Sequence, residues 1–116
     1  GRDSAERAAA WATFHTDVAA CKSAVEQTGA AYALGFFPWL VRLDDNLLPD
    51  VHNAMREFAS QLDVPYLDLL EVFAGRDAET LRVSLANEHP NALGHRLAAE
   101  RIARFLRDEV LPLRDH

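Results

Sequence analysis

Two short apolar runs with an amphipathic stretch between them restrict this chain more than any other feature. Residues 30–37 (AAYALGFF) are almost continuously apolar and end at Pro38, and residues 64–70 (VPYLDLL) form a second such run. Runs this short, apolar at successive positions, suit strands buried on both faces better than edge strands. Pro65 is tolerable because it falls near the start of its run. Between the runs, Leu48, Val51, Met55, Phe58 and Leu62 recur at helical spacing, which predicts a helix from about Pro49 to Leu62. Strand, helix and strand joined by short connections make a parallel crossover, so the expected fold class is α/β.

Two further helices flank this unit. Trp11, Phe14, Val18, Cys21 and Val25 alternate steps of three and four, predicting a helix over residues 3–27 with one apolar stripe. Gly29 follows where a helix stop is expected. Cys21, Trp11 and Phe36 are read as core. A third helix is predicted from near Pro90 to about Val110, burying Leu93, Leu97, Ile102, Phe105 and Leu106. Pro90 suits a first turn because the N–H it lacks would have no helical partner there, and Asn91 suits the first free amides. Residues 39–50 read as a loop with the turn chemistry of Asp44, Asp45 and Asn46. Residues 71–88 read as irregular, apart from a short helical turn around Leu70 to Phe73. The order is α-β-α-β-α. Two parallel strands make a poor sheet, so the expectation is a single half-domain over residues 1–116, completed by another segment or a second copy.

Composition narrows the function. With 116 residues, 49% of them hydrophobic and 26% charged, the chain reads as one globular domain. Twelve Lys and Arg against 18 Asp and Glu give a formal charge of -6. A phosphate backbone needs a basic face, so nucleic acid is not an expected partner. No apolar run approaches the roughly 18 residues of a membrane span. The histidines make no His-x-x-x-His pair and the single cysteine makes no Cys-x-x-Cys pair, so neither a metal site nor a cofactor is expected.

The segment with chemical content is Asn87-Glu88-His89-Pro90-Asn91-Ala92-Leu93-Gly94-His95. It sets a histidine just ahead of a helix, after the second predicted strand. In α/β folds, loops at the carboxyl ends of parallel strands carry the sites, and an imidazole there can act as a general base near neutral pH. HPNALGH followed by RLAAERIARFL, together with FFPWLVRLDD and LDVPYLDLLEVFAGRDAETL upstream, resembles the closing part of SGNH/GDSL hydrolases, over roughly residues 11–106. The resemblance implies a partial three-layer, flavodoxin-like SGNH fold, of which this chain would be the C-terminal half. It implies a serine esterase or lipase acting by acyl transfer on a small-molecule ester, with His89 as the base that takes the serine proton.

The family places an acid just before that histidine to hold the imidazole in its working tautomer. Positions 87 and 86 carry Asn87 and Ala86 instead. An amide in place of the acid in related triads costs on the order of 10⁴ in turnover. The family's Gly-Asp-Ser block and oxyanion-hole residues have no counterpart in the chain. Ser4 lacks the strand that such a serine needs before it, and Ser84 has no motif around it. Activity would therefore need the missing N-terminal half, whereas a second copy would only cover the exposed sheet edge. The alternative is a catalytically degenerate module used for binding or assembly. Trp39, just past the end of the first strand, is the candidate to line an acyl pocket; Gly94 and His95 are read as packing or hydrogen-bonding positions.

Overall fold

The computed structural model describes residues 2–38, 40, 49–84 and 86–115. The chain forms two compact units, residues 1–32 and 33–116.

The first unit is built on one long helix, α1 (Arg2–Glu26). It ends as its sequence predicts: Gly29 takes a left-handed φ of 85°, and its N–H donates to the Glu26 carbonyl at 3.0 Å. The expected stripe is only partly sheltered. Trp11, Val18 and Val25 are half-buried, whereas Phe14 and Cys21 are exposed. Cys21 is therefore not core. Burial, and after it the neighbouring Cys21 side chain, raises the Tyr32 phenol above its ordinary value. Trp11 stacks on Phe14 with ring centroids 5.4 Å apart and meets His15 edge-on at 4.7 Å. Neighbouring rings one helical turn apart thus shelter one another along the helix.

The second unit mixes helices with two small sheets. Strands β1 (Leu34–Phe36) and β2 (Tyr66–Asp68) pair in parallel, with Leu34 opposite Tyr66 and Phe36 opposite Asp68. Helix α2 (Pro49–Gln61) connects them and packs on both. The predicted strand–helix–strand unit is present, with both strands shorter than the apolar runs that announced them. β1 is half-exposed rather than buried, Phe36 included, because β2 is its only strand neighbour among the described residues. Met55 and Phe58 face inward as predicted, joined by His52 and Ala59; Leu48 lies outside the described residues. α2 ends in a Schellman turn: Val64 N–H donates to the Ala59 carbonyl and Asp63 N–H to Ser60, with Asp63 at φ 56° where glycine is usual. Val64, just past that turn, is buried.

After β2 comes the short helix α3 (Leu70–Phe73), where the sequence predicts a turn, and its Phe73 is fully buried. The following residues are not irregular throughout. A single 3₁₀ turn (Ala78–Thr80) leads into an antiparallel hairpin of β3 (Arg82–Ser84) and β4 (Asn87–Pro90). Apart from the exposed Val83 and the closing Pro90 its strand residues are polar, so no alternation of apolar and polar positions marks it in the sequence. Pro90 accordingly ends β4 rather than opening a helix, at a strand position that can spare an N–H.

Helix α4 (Ala92–Phe105) begins after Asn91 and packs on α3 and β4. Its buried positions are Gly94, Ala98 and Phe105, with Val110 following in a π-helical turn (Leu106–Val110). Leu93 and Leu97 are half-buried, but Ile102 and Leu106 are exposed at 37% and 40%. The inward line runs through Gly94 and Ala98, whose small side chains let the helix approach closely. With Phe105 completing that line, Ile102 and Leu106 lie toward its edge and are exposed. No helix among the described residues is long and apolar enough to cross a membrane.

Candidate functional site

The short segment from Leu81 to Gly94 fixes the site's position through backbone contacts. Asn91 caps α4 with its side-chain oxygen, which accepts from Gly94 N–H at 2.9 Å. Its amide nitrogen donates to the carbonyls of Thr80 and Arg82 at 2.9 and 3.1 Å, so one side chain fastens the helix start to the hairpin. Asn91 N–H donates to the Leu81 carbonyl at 2.8 Å. A Cβ at position 94 would stand 2.6 Å from that same Leu81 oxygen, which is why a glycine is required there. Gly94 is a packing position, as its place in the motif suggests; His95 is exposed, and its own N–H donates to the Asn91 carbonyl as a helical bond.

Immediately before this anchor, His89 and Asn87 meet. Asn87 Oδ1 accepts from the His89 backbone N–H at 3.1 Å and lies 2.8 Å from His89 Nδ1. The first contact is an Asx turn, the local geometry that Asp and Asn share. Ser84 supports it from the opposite strand, its Oγ accepting from Asn87 N–H at 3.1 Å. Sequence reasoning set Ser84 aside as a nucleophile and gave it no part in placing Asn87.

His89 is exposed and borders an open cavity of about 480 Å³ lined by Phe37, Pro38, Leu40, Ala86, Asn87, Glu88, His89 and Pro90. Phe37 and Pro38 directly follow β1, so the ring stands beside the carboxyl end of a parallel strand. One wall is apolar, from Phe37, Pro38 and the fully buried Leu40; the other carries the imidazole and the amide. Arg82 ties the two walls together, donating from Nη1 to the Leu40 carbonyl at 3.1 Å. Among the described residues lining the cavity there is no serine, threonine or cysteine. Trp39, the predicted pocket residue, lies outside the described residues.

A second histidine pair went unnoticed in the sequence. His52 Nδ1 and Asp68 Oδ2 are 2.5 Å apart, and both residues are buried. The other Asp68 oxygen accepts from Leu70 N–H at 2.9 Å, and the Phe36 ring meets the His52 ring edge-on at 4.7 Å. Arg56 approaches Asp68 at 3.7 Å and lies 5.7 Å over the Tyr66 ring. The Tyr66 hydroxyl is buried without a hydrogen-bond partner among the described residues. Its phenol is pushed up to about 12, first by burial, then by the Asp68 carboxylate, against a smaller lowering by Arg56. The signal for this pair was present: His52 shares the face of Met55 and Ala59, where a polar residue needs a partner.

Among the described residues, no three His, Cys, Asp or Glu side chains gather as a metal ion would require. Comparison with known proteins finds no matching family model, no matching curated protein and no matching solved structure.

Proposed function

We propose that the chain supplies the histidine half of an SGNH-like ester hydrolase, with His89 as general base and acid in acyl transfer through a serine borne by another segment. The observation that carries this reading is the exposed His89 imidazole, backed by Asn87 and opening on a cavity at the carboxyl end of β1. That is where a parallel α/β sheet presents catalytic groups. The parallel β1–β2 pair with α2 between its strands would be the edge of a flavodoxin-like three-layer sheet completed by the nucleophile-bearing segment. The apolar wall of Phe37, Pro38 and Leu40 suits the acyl portion of a small ester.

The test is hydrolysis of a short-chain p-nitrophenyl ester by the chain alone and by the chain produced together with the polypeptide encoded upstream of it. Turnover is expected only in the complemented protein, and His89→Gln is expected to lower it by about 10³-fold or more. Absence of turnover in every folded preparation, an Asn87→Asp variant included, overturns the reading.

A second reading rests on the exposed Ile102, Leu106, Leu111 and Leu113 along the C-terminal helical region. On it the fold is a non-catalytic module that assembles with a second copy through an apolar surface. Light scattering after size exclusion tests it: a monomer at every concentration removes it.

A further inference from the structure

The Asn87–His89 contact carries more than proximity, because a single oxygen receives two hydrogen atoms. The His89 backbone N–H can only donate, and it donates to Asn87 Oδ1. The Asn87 side chain must therefore turn its oxygen, not its NH₂, toward position 89; reversing the amide would set two donors against each other. The same oxygen lies 2.8 Å from His89 Nδ1. An oxygen without a hydrogen cannot donate, so the ring nitrogen must. Asn87 is itself held by Ser84 Oγ, which accepts the Asn87 N–H and keeps the turn closed.

From this arrangement we infer that Asn87 is a positioning residue that holds the neutral His89 imidazole in its Nδ1–H tautomer, leaving the Nε2 lone pair free. The inference rests on the hydrolase reading only for its catalytic meaning; the placement of the proton stands on the geometry alone. In triads where an amide replaces the acid, activity is lost because the amide's NH₂ turns to the ring and the wrong nitrogen keeps the proton. The Asx turn removes that failure here, since the backbone fixes which end of the amide meets the ring. The amide still lacks the negative charge with which an acid stabilises an imidazolium. Asn87 thus supplies orientation without charge, leaving Nε2 as the ring position that can accept a proton.

The test is ¹⁵N-detected two-bond correlation of the histidine side chains in the full chain, with the imidazoles neutral and His89 assigned by its disappearance in His89→Gln. The wild-type His89 ring is expected to show the Nδ1–H pattern. Asn87→Ala is expected to lose it in favour of the Nε2–H form that unconstrained histidine prefers in water. Asn87→Asp, which can close the same turn, is expected to retain it. An Nε2–H pattern in the wild type, or an Nδ1–H pattern that survives Asn87→Ala, overturns the inference. The wild-type spectrum decides even if the alanine variant does not fold. None of these readings depends on turnover, so an Nδ1–H ring together with a complemented protein that shows no esterase activity removes the hydrolase reading and leaves the proton where it is.

Discussion

Two histidines in the second unit each have an oxygen partner on Nδ1, and their surroundings assign them opposite roles. His52 faces Asp68 inside the core, under the Phe36 ring, between α2 and the end of β2. His89 faces Asn87 at the surface, on a turn bordering an open cavity. By chemistry alone the His52–Asp68 pair looks more like a triad's base and acid, because it has the carboxylate. By position it is structural: with both side chains buried, the ring has no open face to offer a substrate. The difference teaches that access separates the two roles more sharply than the identity of the partner. A buried polar pair needs full satisfaction to be tolerated, whereas an exposed one can be incomplete and remain available.

The comparison breaks most directly at Asp68. Asp68→Ala would leave the buried His52 Nδ1 without its partner and the half-buried Leu70 N–H without its acceptor, and a loss of about 3–5 kcal/mol in urea unfolding is expected. That is a large share of a domain's usual stability, so the variant is expected to be partly unfolded at room temperature. A loss below about 1 kcal/mol would show that water reaches the pair and would dissolve the contrast.

A smaller effect sharpens the picture of the surroundings. Tyr66 ionises at about 12 in the folded chain against an ordinary 10.0, so the folded state keeps a proton that the unfolded chain gives up earlier. The stability it contributes is complete below pH 10 and is lost as pH rises from there through about 12. Tyr66→Phe removes both this loss and an unpartnered hydroxyl. It is expected to leave neutral-pH stability within about 1 kcal/mol of the parent, on the favourable side, and to unfold less readily in alkali. Parallel alkaline losses in the two proteins would remove Tyr66 from the account.

The smallest effect belongs to His89. His89→Gln is expected to change unfolding stability by no more than about 0.5 kcal/mol, as surface substitutions usually do. A loss approaching that of Asp68→Ala would mean that His89, too, holds the fold together.

The sequence made some of this legible, and the limits have physical reasons. The α2 face, the Gly29 stop, the α3 turn and the parallel pairing follow from short-range spacing of apolar residues, the strongest signal a single chain carries. His89 and Asn91 stood out because a histidine and a helix cap sit side by side in one short segment. The β3–β4 hairpin did not, since its residues are mostly polar, its one strand valine is exposed, and it buries no apolar face. Ile102 and Leu106 were misplaced because the buried line of α4 runs through Gly94, Ala98 and Phe105, and the two lie toward its edge. His52 and Asp68 lie 16 positions apart, and no local pattern joins them before the crossover brings α2 onto the end of β2.

The contact between Gly94 and the Leu81 carbonyl leaves the first turn of α4 no slack, and the three hydrogen bonds of the Asn91 side chain fasten it on every other side. The height of the neighbouring imidazole over its hollow is thereby set by main chain resting on main chain. The side chains of the facing wall, Phe37 and Leu40, make none of these contacts; Leu40 meets the anchor only through its carbonyl, which accepts from Arg82. Changes there can reshape the hollow while the turn that carries the ring keeps its own main-chain contacts.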